Sequence, residues 1–335
     1  MLLIIFTSHA WILGDSPVRT LVGRATGYAL ELFFILSGCF VAIKYSGKEI
    51  RARSFVFHEF FKFYPELVLA HLLSLSYKID SSMFKGTSID WVDYLKKSVI
   101  NLSLLQSWFP TEEYVFAFNG VGWFLSSLFF CYLLTPLAIK CLKRLKNHAF
   151  VGLVMCVVLR YVYVYTFRFW GDGNTFLYTN VFPPYRFFEY FAGMCLGLLY
   201  KQNPDRHQNS LIQVCGIAVF AFMLYVNANS TLIHISALFL VYAFVFYSGF
   251  MDWIGERAFL SLFAKITMQF YLFHNPIIYL YTWITWKHSI DIYKHPIVTM
   301  LLFLATGLVF SYVVYRIRAL VQKSIENKQS ILKKC

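Results

Sequence analysis

Residues 1–13 read MLLIIFTSHAWIL, an apolar run with one imidazole, His9, close to its end. Ionisable groups are costly inside a bilayer, so a His within a membrane-spanning run marks a candidate functional site. A lone His in a span also serves simply to bridge two helices by hydrogen bonds. The rest of the chain decides between these readings. Of its 335 residues 59% are hydrophobic, 20% aromatic and only 14% charged, with a mean hydropathy of +0.58. A soluble domain carries about 25% charged residues. The composition therefore predicts an all-α, polytopic membrane helical bundle whose own spans serve as targeting signals.

The formal charge of +13 raises nucleic acid or anionic lipid as partners. The basic residues are spread through short loops, so membrane lipid head groups fit them and nucleic acid does not. Cys39, Cys131, Cys141, Cys156, Cys195, Cys215 and Cys335 lack CxxC spacing and read as small apolar residues. Neither a disulfide framework nor a metal site is expected.

A spanning helix needs about 20 apolar residues, within about 17–25. Ten segments qualify or come close: 1–13, 27–44, 60–77, 120–139, 149–167, 185–200, 210–227, 231–249, 264–284 and 296–316. Residues 91–109 are amphipathic with paired lysines and read as a helix lying on the membrane surface. When the spans alternate from an inner N-terminus, 19 of the 30 Lys and Arg fall on inner segments, 10 on outer ones, and Arg160 within a span. That asymmetry places both termini in the cytoplasm. The expected division is a membrane domain over 1–318 and a basic cytoplasmic tail over 319–335. The first run makes only about 20 Å of helix, against a hydrocarbon core about 30 Å thick. A native start upstream of Met1 is therefore expected.

Polar residues stand where lipid should be. His9 and Glu31 lie in adjacent spans, and a carboxylate beside an imidazole would fix its tautomer and raise its basicity. Glu31 could equally pair with an Arg as packing glue. His58 and Lys62, four apart, share a helix face at an inner end; the plain alternative is topogenic charge. Arg186 and Glu189 open the sixth span, where Arg186 could simply snorkel to the interface. Tyr271 and His274 precede Asn275-Pro276, whose proline frees a carbonyl one turn earlier. The sequence has no P-loop, dinucleotide-binding fingerprint, GxSxG elbow or metal-ligand spacing.

Five regions, in order, resemble the acyltransferase 3 family of integral membrane acyltransferases. They are IIFTSHAW; LELFFILSGCFVA, with Glu31 and Ser37-Gly38; HEFFKFYPELVL; GVGWFLSSLFFCYLLTPL, with Trp123, Tyr132 and Pro136; and the pair YRFFEYFAGMCLGLLY and FYLFHNPI. The resemblance implies about ten spans and transfer of an acyl group, most often acetyl, from acyl-CoA as co-substrate to a sugar hydroxyl. The acceptor is a cell-surface polysaccharide or its lipid-linked precursor. It implies His9 as the catalytic residue, and the adjacent Glu31 is its expected orienting partner. His58 and Lys62 would meet acyl-CoA. Ser37, Trp123, Arg186, Tyr271, His274 and Asn275 would line the substrate site.

The chain departs from the family in three places. The Arg about eleven residues before the catalytic His would precede Met1. His58, Glu59 and Lys62 replace arginines before the proline, and a Lys offers a point charge rather than a bidentate fork. Leu128 stands where many members have Glu. A different class of function, a flippase or permease for a lipid-linked saccharide with His and Glu as a proton relay, draws on the same polar residues. No internal repeat with matched helix breaks supports it.

Overall fold

The computed structural model describes residues 1–9, 17–109, 111–144, 148–170, 175–291 and 294–332. Residues 10–13 of the first expected span and 333–335 of the expected tail lie outside the described residues. The helices in chain order are α1 (Leu2–His9), α2 (Pro17–Tyr45), α3 (Ala52–Phe61), α4 (Tyr64–Phe84) and α5 (Trp91–Leu102). They continue as α6 (Glu112–Val115), α7 (Trp123–Arg144), α8 (Ala149–Trp170), α9 (Thr175–Asn180) and α10 (Pro183–Gln202). The rest are α11 (Ser210–Tyr225), α12 (Ser230–Phe246), α13 (Phe250–Gly255), α14 (Ala258–Lys287) and α15 (Pro296–Leu332). A parallel pair of short strands, β1 (His207–Gln208) and β2 (Tyr247–Ser248), clips the start of α11 to the end of α12. Asp90, Asn209 and Asn229 cap α5, α11 and α12 by accepting from first-turn N–H groups.

Every segment expected to span lies at least partly on a helix. By length and composition, four helical stretches are long and apolar enough to cross a membrane: Arg19–Tyr45, Trp123–Arg144, Ala149–Phe169 and Pro296–Ser324. The helices α11 and α12 are apolar but shorter. The helices α4, α10 and α14 have the length, but they carry polar side chains that pack inward: His71 on α4, Arg186 and Glu189 on α10, Gln269, His274 and Asn275 on α14. The polarity that lowers their hydropathy is the polarity that builds the interior. Large apolar side chains exposed along α8 (Val151, Val158, Tyr165) and α15 (Leu301, Val309, Ile317) give the bundle an outer face suited to lipid. The chain is an all-α protein with the character of a multi-pass membrane protein.

Contacts sort the helix ends into two groups. At one end Lys201 donates to the Ser46 carbonyl, and Arg318 reaches Glu66 at 2.5 Å. Partial burial there pushes the Asp252 carboxyl up, but donors from Gln213, Gly249 and Arg206 outweigh it and hold the group below the usual carboxylate range. At the opposite end Asp80 accepts from Trp283 at 2.5 Å and from Lys287 at 3.2 Å. On α5, expected to lie on the surface, Trp91, Val92, Leu95 and Val99 are exposed while Asn101 is buried.

Among the described residues the most extensive helix contact is that of α2 with α10. Gly193 and Gly197 form a GxxxG step on α10, which lets two backbones approach. A Cβ at Gly193 would overlap the Ile35 carbonyl, and one at Gly38 would overlap the carbonyl of Tyr190. Gly193→Ala is expected to destabilise the fold by about 1–3 kcal/mol or more, because neither backbone can yield locally. Gly23→Ala on α2 is the control, since an added Cβ there meets nothing within 4 Å. Thermal unfolding of the two variants in the same detergent checks this, and equal midpoints would contradict it.

Candidate active site

The site begins with a proline. Pro276 inside α14 cannot donate to Leu272, four residues earlier. The freed Leu272 carbonyl accepts instead from Asn119 Nδ2 at 3.0 Å. That bond docks the loop before α7 onto α14, and Tyr271 secures it by donating from its hydroxyl to the Val121 carbonyl at 2.9 Å. Gly120 leaves room for the Asn275 amide; a Cβ there would come 3.2 Å from Asn275 Nδ2. Asn275 is buried and its Oδ1 has no partner among the described residues. The carbonyl freed by Pro276, within a helix that continues through it, thus helps fix where α7 starts and where Trp123 stands.

In the same turn of α14, His274 is buried beside Phe6, Phe270 and Tyr271. Its Nδ1 lies 2.8 Å from the Tyr271 carbonyl and 3.2 Å from that of Phe270. Carbonyls only accept, so Nδ1 of His274 carries the proton and the neutral ring offers a lone pair at Nε2. His9, the last residue of α1, places Nδ1 3.1 Å from that Nε2. His9 must therefore carry its own proton on Nδ1, which leaves Nε2 of His9 as a bare lone pair. Two backbone carbonyls, through one imidazole, set the tautomer of the other. A ring held in this way can take a proton from a hydroxyl placed at Nε2.

The expected Glu31 partner of His9 is engaged elsewhere. Glu31 is buried on α2, where Oε1 accepts from His234 Nδ1 and Oε2 lies 3.2 Å from Arg160 Nη2. Arg160 also donates to the Tyr185 hydroxyl and to the Ser230 carbonyl at 3.3 Å, and its Nε lies 3.7 Å from Glu189 Oε1. Glu189 in turn binds Arg186 at 2.7 Å. Two carboxylates and two guanidiniums from α2, α8 and α10 thus balance each other within the bundle, with His234 of α12 attached. The imidazole partner of His9 does what a carboxylate was expected to do, by accepting from Nδ1.

The other expected residues divide in two. Arg186 stacks 5.4 Å from Trp123 and 5.3 Å from Phe34, and donates to the Asn180 carbonyl at 2.5 Å. Phe124 bridges this layer to Tyr271, with ring centroids 5.1 Å apart. Trp123, Arg186, Tyr271, His274 and Asn275 therefore form one continuous layer with His9. Ser37 stands apart, half-buried on α2 beside the Gly38 crossing. His58 and Lys62 are 66% and 43% exposed, and both face Glu59, at 3.2 Å and 3.6 Å. Both side chains are engaged locally by Glu59 rather than gathered around a cavity.

Sequence reasoning passed over His234 and gave Arg160 no role. Arg160 had a signal, as the one basic residue left within a span. His234 had only its own intramembrane position.

The family model described as an acyltransferase domain, that of acyltransferase 3, matches residues 1–316. No curated protein and no solved structure matches the chain.

Proposed function

Because the chain belongs to the acyltransferase 3 family and is a membrane acyltransferase, we propose that it moves an acetyl group from acetyl-CoA to a hydroxyl of a cell-surface polysaccharide or of its lipid-linked precursor. The observation that carries the reading is the His9–His274 pair, with Nε2 of His9 available as a lone pair. His9 acts as general base. As the acceptor oxygen bonds to the thioester carbonyl, Nε2 takes the hydroxyl proton; the C–S bond then breaks, and the departing CoA thiolate takes that proton from the His9 imidazolium, which restores the neutral base. Products are the sugar ester and CoA thiol. His274 is a positioning residue, acting through His9.

The aromatic layer of Trp123, Phe124 and Tyr271 suits the faces of a sugar ring, and Arg186 above Trp123 suits an anionic acceptor. Residues 1–318 form the catalytic membrane domain, as ten spans of a plasma or inner membrane protein. The tail from 319 follows in the cytoplasm beside the N-terminus. The donor arrives at the end where most of the Lys and Arg gather.

Membranes containing the chain, incubated with acetyl-labelled acetyl-CoA, test the reaction. Label is expected in alkali-labile ester on the surface glycan, and only when the chain is present. Label confined to CoA and free acetate would overturn the reading.

A further inference from the structure

Where α2, α7 and α10 end together, Ser46, Gly47, Lys143, Lys201 and Gln202 surround a cavity of about 430 Å³. That is within the range of about 300–1,000 Å³ typical of small-ligand sites. Among the described residues two ammonium groups line it, and no carboxylate does. The contrast with the cavity at Lys78 and Lys97 is informative, since Glu112 and Glu113 share that one.

The cavity has a built wall. Lys201 is fixed by its bond to the Ser46 carbonyl. Gly47 turns the chain in the left-handed region at φ +87°, and a Cβ there would meet Lys201 Nζ at 3.8 Å. Ser46 is only 6% exposed, yet its Oγ has no hydrogen-bond partner among the described residues. A buried hydroxyl without a partner, set beside two cations, is a donor waiting for an acceptor. Dense anionic oxygen satisfies all three groups at once.

We propose that this cavity binds the phosphate groups at the nucleotide end of the acyl donor. The inference rests on the proposed function and adds to it the residues that hold the donor. His58 and Lys62, expected to meet the donor, are exposed and turned onto Glu59. Lys143 and Lys201 instead come from helix ends far apart in sequence. From Lys201, the helical run of α10 back to Arg186 rises about 22 Å at about 1.5 Å per residue. That is the kind of distance a pantetheine arm spans, so phosphates held here leave the thioester in reach of the Arg186 and Trp123 layer.

Equilibrium binding to the purified full chain in phosphatidylcholine nanodiscs tests the site, with tritiated CoA and pantetheine as probes. Wild-type protein is expected to bind CoA more tightly than pantetheine. Lys143→Gln and Lys201→Gln are each expected to weaken CoA by about tenfold and to leave pantetheine unchanged. Lys201→Arg retains CoA. Lys143 is exposed and bears no hydrogen bond among the described residues, so its variant reports on charge without disturbing the fold. Unchanged CoA affinity in both glutamine variants overturns the proposal. Phosphatidylglycerol retained through purification is quantified in the same variants, and its loss with CoA affinity unchanged overturns the proposal by assigning the cavity to a lipid head group. Absence of CoA binding to wild-type protein would overturn the proposed function as well.

Discussion

His9→Ala is expected to lower acetyl transfer by about 10²–10⁴-fold, the range a general base contributes. The protein should still reach the membrane in normal amount. His9 ends α1, and its ring hydrogen-bonds His274 and the Ile5 carbonyl one turn back in its own helix. Its removal takes a polar group out of an apolar place, so insertion has no reason to fail. The hydrophobic anchors of α1, Ile5 and Phe6, remain buried against the bundle. His9→Gln fills similar space but supplies no basic nitrogen, and should fall as far. Transfer of label to glycan at matched expression is the measurement. Activity within a few-fold of wild type would remove His9 from the chemistry.

Arg160→Ala is expected to destabilise the bundle by about 3–5 kcal/mol, the cost of removing one partner from a buried ion pair. Arg160 is 1% exposed and connects Glu31, Tyr185, Glu189 and the Ser230 carbonyl. Without it, Glu31 keeps only His234, and the charge of Glu189 rests on Arg186 alone. Lysine at 160 should recover little, because a point charge cannot serve several acceptors in the geometry of a planar fork. The thermal midpoint in detergent, compared with that of an exposed variant such as Lys48→Ala, reads the effect. A midpoint equal to wild type would show that the network does not hold the helices together.

Much of this arrangement can be read in the sequence. The helical segments follow from apolar length, and the open carbonyl before Pro276 follows from a missing N–H; it is the Leu272 carbonyl that Asn119 takes. His9, Arg186, His274 and Asn275 are visible because each is costly in lipid, whereas Trp123 enters only through the family resemblance. What sequence cannot give is pairing across helices. Glu31 and His9 occupy consecutive spans, and the shortest inference joins them. The fold instead turns Glu31 toward α8 and α12, where Arg160 and His234 wait, and brings His9 to α14, 265 positions along the chain. Helical rotation decides these partners, and a local pattern does not encode it. The close contact of α2 and α10 is half legible: the GxxxG of α10 stands in the sequence, but the Ile35 and Cys39 backbone it packs against appears only in three dimensions. His58 and Lys62 lie on one side of the chain, yet Glu59 lies between them and engages both.

The central claim is that His9 and His274 act as one unit, with His9 meeting the substrate. A kinetic double-mutant cycle on acetyl transfer tests it, using His9→Ala, His274→Ala and the pair. Groups that act as a unit are strongly non-additive. The double variant is therefore predicted to be no slower than His9→Ala, with His274→Ala retaining more activity than either. Losses that multiply, or a His274→Ala variant more impaired than His9→Ala, would contradict the account.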